Sequence, residues 1–510
     1  MTELINKEKF IDVLLIAEGT YPYIRGGVST WIHDLINGLP EFNFGVIFLG
    51  SRPEDYGEIK YQLPENLVYL SVDYLFDFKD SRIIRNTKAK KESFSYLHFL
   101  HKWFKEHGNV NADFPQKLKD ISFYTKEINR DIFLRSRESW NFIIDMYSDY
   151  ALESPFIDYF WTIRNMHTPI FTVANVAKNA PDFAIVHSPS TGYAGFLASL
   201  LSYDRKKPFI LTEHGIYTRE RKIDLLNTDW LIDKRLFFQK DIGEIDHIKN
   251  LWIRFFESIG RFTYKASTLI ISLFFTAREI QISYGADPEK CIIVPNGVDV
   301  ENLSKLIEKR PKEIPKVITL LGRVVPIKDV KTFIKAMRIV CSRMPDVEGW
   351  IVGPTDEDPD YYEECKNLVE TFKLENNVKF LGFQNPKDIF PKTGILTLTS
   401  ISEGMPLVVL EGFAAGVPCV ATDVGSCRQL IYGGLNEEDI KIGKAGEVVP
   451  IANPEKLAEA YIKLLEDENL WKECQKAALN RVKSFYTRQQ FLDNYRKIYL
   501  EMKENGRNQL

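Results

Sequence analysis

The sequence contains no G-x-G-x-x-G fingerprint and no G-x-x-x-x-G-K-[ST] loop. A dinucleotide oxidoreductase and a P-loop NTPase therefore lose their main sequence support. No stretch approaches the ~18 consecutive apolar residues needed to cross a bilayer; the best candidate, Leu269 to Phe275, stops far short. The polar start, Met1 to Lys9, precedes an apolar run that ends at Glu18, so a buried strand is expected there rather than a signal peptide. Cysteine is scarce. The six (Cys291, Cys341, Cys365, Cys419, Cys427, Cys474) form no C-x-x-C pair and have no histidine spaced as a zinc partner, which reads as reduced thiols in a cytoplasmic protein. A basic excess is missing too. Lys and Arg total 66 against 70 Asp and Glu, a net charge of −4, where a nucleic-acid binder carries a clear positive surplus.

What is present is a core-forming composition, 45% hydrophobic and 13% aromatic, in a chain of 510 residues that allows about three domains at roughly 150 residues each. Short β-branched runs alternate with helical patterns. Ile11–Ala17, Phe44–Leu49, Phe183–Val186, Pro208–Thr212 and Thr268–Ser272 form one series. Val317–Leu321, Gly349–Val352, Val378–Leu381, Ile395–Leu398 and Pro418–Ala421 form a second. Strands separated by helices predict βαβ units and parallel sheets, here twice over. The expected division is residues 1–305, 306–486 and a final helix 487–510 opened by the capping box Thr487-x-x-Gln490, with Phe491, Tyr495, Ile498 and Met502 along one face. The two series meet near residues 300 to 316, where Glu, Lys and Pro (Glu308 to Pro315) replace apolar periodicity, and that stretch reads as an interdomain linker. Residues from about 75 to 178 are helical in pattern and rich in aromatics, an insertion in the first domain.

The most informative string is Ser402-Glu-Gly-Met-Pro-Leu-Val-Val-Leu-Glu-Gly412, directly after the strand Ile395–Leu398. Pro406 suits a first helical turn, where its missing N–H has no intrahelical partner. The backbone amides of Gly404, Met405 and Leu407 would then stand at a helix N-terminus, a place that binds anions such as phosphate. Glu403 faces that mouth and Glu411 lies a turn inside, both able to accept hydrogen bonds from sugar or ribose hydroxyls. Upstream, Gly322-Arg-Val-Val-Pro-Ile-Lys328 follows the strand Val317–Leu321. Arg323 as a planar fork and Lys328 as a point charge suit a diphosphate. In the first domain the loop Tyr21 to Ser29 carries Gly26 and Gly27, which permit close approach of a ligand to the backbone.

Together, SEGMPLVVLE, GRVVPIKD and Pro295-Asn-Gly-Val-Asp299 resemble the signatures of the retaining glycosyltransferases of family 4. The first half, through Ala17 to Trp31 and Thr212 to Arg221, resembles the PelF-type subgroup, which works on the cytoplasmic side of an exopolysaccharide synthase. The resemblance implies an α/β GT-B fold: two facing Rossmann-like domains, with a helical insertion in the N-terminal one. It implies a retaining, metal-independent hexosyltransferase that moves a sugar from a nucleotide sugar, a UDP-linked hexose, to a growing exopolysaccharide. Arg323 and Lys328 would neutralise the departing diphosphate, Glu403 would face the donor sugar with Gly404, Met405, Pro406 and Leu407, and Glu411 would hold the ribose. Gly382 and Phe383 would lie near the base. His187 matches the family's active-site histidine, and His214, Gly26 and Gly27 would line the opposite side. The implied partners are the nucleotide-sugar donor, a polysaccharide acceptor and inner-membrane exopolysaccharide synthase subunits, with no nucleic acid. The implied location is the cytoplasm, peripheral to the inner face of the membrane. No cofactor or metal is expected. The contrasting readings are a non-catalytic nucleotide-sugar-binding regulatory subunit, and a GT-B epimerase or glycogen-type synthase.

Three further signals have plain alternatives. Asp356-Glu-Asp358 and Asp358-Pro-Asp360 match the D-x-D metal motif but also suit a first helical turn, where acids complement the dipole. His98, His101 and His107 read as surface or packed side chains rather than a zinc site. The basic run Arg82, Arg85, Lys88, Lys90, Lys91 reads as a solvated loop, with contact to anionic lipid as the alternative.

Overall fold

Runs of β-branched and aromatic residues with no polar alternation need cover on both faces, and this sequence supplies it with helices between successive strands. The computed structural model describes residues 4–5, 9–76, 87–107, 113–227 and 247–508. Two compact units emerge: Met1–Ser272 with Glu279–Ile292 and Arg496–Leu510, and Leu273–Arg278 with Ile293–Tyr495.

The first unit is built on strands β1 (Leu4–Ile5), β2 (Ile11–Glu18), β3 (Phe44–Gly50), β4 (Leu67–Tyr74), β5 (Phe183–Ser188), β6 (Phe209–Glu213), β7 (Leu269–Ser272) and β8 (Cys291–Ile293), in the order β1-β4-β3-β2-β5-β6-β7-β8. β4 through β7 pair in parallel, and only β1 is antiparallel to its neighbour β4 among the pairings with a defined register. Val13 to Ala17 are completely buried. The order turns back on itself between β2 and β5, the switch point at which open α/β sheets receive ligands. Between β4 and β5 the chain makes the helices Lys91–His107, Arg130–Arg135, Arg137–Tyr150 and Phe156–Asn179. Leu97, Leu100, Phe142, Met146, Ile163 and Met166 give this segment its own apolar interior, continuous with that of the sheet. The end of the last helix belongs to this unit. Arg496 Nε donates to Glu41 at 2.5 Å, and Lys503 Nζ to Asp12 at 2.5 Å.

The second unit carries β9 (Val317–Leu321), β10 (Glu348–Val352), β11 (Val378–Gly382), β12 (Ile395–Leu398), β13 (Cys419–Thr422) and β14 (Gly446–Val449), all parallel in the order β11-β10-β9-β12-β13-β14. This is the strand order of a Rossmann fold, with its switch point between β9 and β12. The first part of the stretch expected to be the linker is helical and partly packed, while 311–313 are exposed. Residues 300–309 are helical, and Val300, Leu303 and Leu306 are buried, an apolar stripe that outweighs the charged residues between them. Val298 forms a parallel bridge with Thr487, its N–H donating to Tyr486 O at 3.0 Å and its carbonyl accepting from Arg488 N at 2.9 Å. The capping box at Thr487 closes reciprocally: Gln490 N donates to Thr487 Oγ1 and Thr487 N to Gln490 Oε1, both at 3.2 Å.

Candidate functional site

At the switch point of the second sheet, the loops after β9 and β12 are joined. Ile401 N donates to Ile327 O at 2.9 Å, and Thr399 Oγ1 to Lys328 O at 2.7 Å. This backbone frame brings the side chains together: Lys328 Nζ donates to Glu403 Oε1, which also accepts from Ser400 Oγ at 2.6 Å. Both charged groups are largely shielded, 23% exposed for Lys328 and 13% for Glu403. Arg323, on the same loop, is half exposed, and its Nη1 meets the two Glu357 oxygens at 2.5 and 2.7 Å.

Two glycines let neighbouring loops close on this edge. Gly353, with φ +154°, lies so near Gly322 that a Cβ would stand 2.0 Å from its carbonyl oxygen. Gly425, at φ +53°, likewise faces the carbonyls of Glu403 and Gly404, at 2.4 and 2.3 Å from a Cβ, and Ser426 N donates to Gly404 O at 2.9 Å. The helix after the SEGMP loop runs Leu407–Ala414, so Pro406 is its cap rather than its first residue, with an extended ψ of 108°. Gly416, at φ +72°, follows its end. Glu411 sits half-buried on that helix. Met405 is buried, its sulfur accepting from Asn296 N at 3.4 Å. Gly382 takes a left-handed φ of 62° and Phe383 is 78% exposed. Asp358 of the acidic strings caps the helix Pro359–Thr371, accepting from Tyr361 N at 3.0 Å, and among the described residues no group of three His, Cys, Asp or Glu is placed to hold a metal.

The switch point of the first sheet holds buried ionisable groups. Glu18, which ends β2, accepts from Ala194 N at 2.8 Å and Tyr217 Oη at 3.3 Å, and Arg221 donates to that same hydroxyl at 3.1 Å. Burial raises the Glu18 carboxyl. Glu213, which ends β6, accepts from Tyr264 Oη at 2.7 Å, Gln281 Nε2 at 2.9 Å and Thr191 Oγ1 at 3.2 Å, yet burial pushes it up to about 7. His187 is fully buried, bonded through Nδ1 to Tyr499 Oη and through Nε2 to Thr212 Oγ1, each at 2.8 Å. A ligand could reach either nitrogen only by replacing one of those bonds. Burial lowers both His187 and its neighbour His214 to about 3, with His214 adding to the effect at His187. His214 packs edge-on against Trp31, 4.7 Å between centroids, and its Nε2 is buried with no hydrogen-bond partner. Gly26 and Gly27 are exposed at the start of the helix Gly27–Gly38, and a Cβ on either would meet nothing within 4 Å.

Of the residues singled out in the sequence, the structure brings Lys328 and Glu403 together, while Arg323 pairs with Glu357; Ser400, Gly353, Gly425, Glu18 and Glu213 were not singled out. Glu18 and Glu213 did carry a signal, as the charged residues that end otherwise apolar strands. Of the other histidines, His98 lies 3.8 Å from Asp149 and His101 pairs with His167. The side chain of His107, and Arg82 and Arg85 of the basic run, lie outside the described residues, while Lys88, Lys90 and Lys91 are exposed.

These two Rossmann-like sheets make an α/β GT-B fold, and the family match to residues 292–481 makes the chain a glycosyltransferase. The chain belongs to the family described as "Domain of unknown function (DUF3492)", matched over residues 11–289, and residues 292–481 match "Glycosyl transferases group 1". Among curated proteins it is 26% identical over 359 residues to the Escherichia coli UDP-Gal:alpha-D-GlcNAc-diphosphoundecaprenol alpha-1,3-galactosyltransferase, covering 67% of this chain and 81% of the relative. It is also 26% identical over 260 residues to the Bacillus subtilis poly(glycerol-phosphate) alpha-glucosyltransferase, covering 50% of this chain but only 36% of that relative. Among solved structures, Anabaena HepE in complex with UDP superposes with a TM-score of 0.59 at 15% identity over 96% of this chain and all of that one. Sucrose-phosphate synthase from Thermosynechococcus elongatus gives 0.57 at 13% identity, over 96% and 99%. No helix among the described residues is long and apolar enough to cross a membrane.

Proposed function

We propose that this glycosyltransferase moves a hexose from a UDP-linked donor to a growing exopolysaccharide, with retention and without a metal, as a PelF-like enzyme. The observation that carries the reading is the Lys328–Glu403 pair at the switch point of the second sheet, beside Arg323. In glycosyl transfer negative charge builds on the leaving diphosphate while the sugar becomes oxocarbenium-like. Cations already in place stabilise that charge at no reorganisation cost. On this reading Arg323 leaves Glu357 for a phosphate, Lys328 bridges phosphate and Glu403, and the carboxylate of Glu403 faces the sugar. The amides of Gly404, Met405 and Leu407 add the helix-terminal field. Glu411 holds the ribose hydroxyls, and Gly382 and Phe383 flank the base. His187, His214, Gly26 and Gly27 serve the sugar and acceptor from the first unit. HepE solved with UDP-glucose and the UDP-Gal-dependent E. coli relative favour a UDP-linked donor.

The acceptor-proton route that fits retention is front-face attack, with the departing phosphate taking the proton of the acceptor hydroxyl. Inner-membrane synthase subunits are the proposed partners, and the inner face of the membrane the proposed place of work. Incubation with a panel of radiolabelled nucleotide sugars, with and without acceptor and with and without chelator, tests this reading. Transfer or hydrolysis of a UDP-hexose that survives chelator supports it. Nucleotide binding with neither transfer nor hydrolysis replaces it with a regulatory subunit.

A further inference from the structure

Within the first unit, an open-mouthed cavity of about 250 Å³ lies between the helical insertion and the helices Tyr193–Arg205 and His247–Ala266. Its walls are apolar, among them Leu100, Phe104, Met146, Ile163, Met166 and Leu251. Protein interiors are packed to crystal density, and an engineered apolar cavity of about 150 Å³ stays dry and takes up benzene. A larger pocket with a mostly apolar lining is suited in the same way to a hydrocarbon.

The polar groups in the wall do not alter that. His101 and His167 stack at 13° with their Nε2 atoms 3.0 Å apart, and His167 Nδ1 lies 2.8 Å from Ile163 O. A carbonyl only accepts, so His167 donates through Nδ1 and receives through Nε2 the proton of His101. Burial holds both rings in the neutral form. They satisfy each other and bring no charge inside.

The charge is at the rim. Lys105, Arg254 and Arg261 all line the cavity, the first two exposed, and Lys105 holds its Nζ 3.8 Å above the Tyr150 ring. Among the described residues the one acid in the lining, Glu257, is already shared by Lys222 at 3.5 Å and Arg261 at 3.8 Å. Leu152, in the turn after the helix Arg137–Tyr150, and Ile157, in the first turn of the helix Phe156–Asn179, are 69% and 68% accessible, each two residues from a cavity-lining tyrosine, Tyr150 or Tyr159. Apolar side chains of that size held in water mark a contact with another apolar phase.

We infer that the insertion binds a single-chain anionic amphiphile, its hydrocarbon tail in the cavity and its phosphate or carboxylate head against Lys105 and Arg254. Such a site gives the enzyme a means of holding a lipid molecule at the surface of the first unit, independent of the sugar-nucleotide reading.

Calorimetric titration of the full chain with dodecyl phosphate, below its micellar concentration, tests this, with dodecanol and inorganic phosphate as the tail-only and head-only arms. The expected result is one dodecyl phosphate per chain. Dodecanol should bind about tenfold more weakly and phosphate alone not at all. Lys105→Glu with Arg254→Glu should weaken dodecyl phosphate at least tenfold, and Met166→Trp, which fills the cavity, should abolish it. Hydrogen exchange on the unaltered protein gives a readout that no variant's misfolding can spoil: dodecyl phosphate should slow exchange in the segments around Leu100 and Met166. No binding of dodecyl phosphate, or binding without protection of those segments, overturns the site. Equal affinity for dodecanol and dodecyl phosphate overturns the anionic head.

Discussion

Lys328 and Glu403, 75 residues apart in sequence, form an ion pair across the switch point of the second sheet, and Ser400 donates to the same carboxylate oxygen. The loops that carry them are held by separate bonds, Ile401 N to Ile327 O and Thr399 Oγ1 to Lys328 O. Removing the lysine side chain therefore leaves the loop frame in place. Lys328→Ala should lower turnover by about 10²–10³-fold, the usual effect of losing one preorganised charge-stabilising group. Its melting temperature should move by no more than about 2–4 °C, the equivalent of about 1 kcal/mol in a domain of this size. A loss of stability that accounts for the loss of activity would remove Lys328 from the chemistry.

Glu411 tests nucleotide recognition alone. A carboxylate that holds ribose hydroxyls contributes to binding before any bond changes, so Glu411→Ala should weaken UDP by about tenfold, or about 1.4 kcal/mol, in a calorimetric titration. Unchanged affinity would end its ribose role.

The glycines separate packing from ligand approach. Gly353→Ala forces a Cβ to within 2.0 Å of Gly322 O at a φ of +154°, and a strained, displaced loop of this kind costs about 1–3 kcal/mol. Denaturant midpoints should fall, and UDP affinity with them. Gly26→Ala has open space and an extended backbone, so stability should hold within about 0.5 kcal/mol. A drop in turnover there, without a drop in stability, would place ligand against that turn; unchanged turnover would not.

Buried ionisable groups of opposite sign give the first unit a readable pH dependence. His187 and His214 are held near 3 and His167 near 4 by burial, against an ordinary 6.5. On unfolding they take up protons below about 6.5, so their contribution is whole above that pH and is lost as pH falls toward 3 to 4. Glu213, raised by burial from 4.5 to about 7, acts the other way: its contribution is whole below 4.5 and is lost as pH rises through 7. Denaturant midpoints should fall on acidification from pH 6.5 to 4. In Glu213→Gln the fall should be steeper, and the variant should gain on the parent as pH rises toward 8. Parallel curves for the two proteins would show that Glu213 does not titrate in this window.

Much of this arrangement is legible in the sequence because local chemistry and tertiary position agree. Val317–Leu321 and Ile395–Leu398 are uninterrupted apolar strands, each followed by a loop whose glycine, proline and charge stand at fixed offsets. The second sheet's switch point can be read from that alone. β4 escaped because Ser71 and Asp73 interrupt its apolar run, and β14 because four residues with a glutamate, Gly446–Val449, carry little pattern. Gly353, Gly425 and Glu357 escaped for a different reason. Their roles arise where loops far apart in the chain close on one another, and spacing does not register such contacts. The linker expected near 300 to 316 also shortened, because Leu303 and Leu306 in its first part found a surface to cover.

On the proposed function, the Lys328–Glu403 pair serves glycosyl transfer from a UDP-linked hexose. Its most direct test is single-turnover transfer of labelled hexose from UDP-hexose by the parent chain and by Lys328→Ala, at UDP-hexose concentrations that saturate both. The parent should transfer with the anomeric configuration kept, and the variant should lose about 10²-fold or more while it still binds UDP. Transfer by the variant at the parental rate would contradict that role.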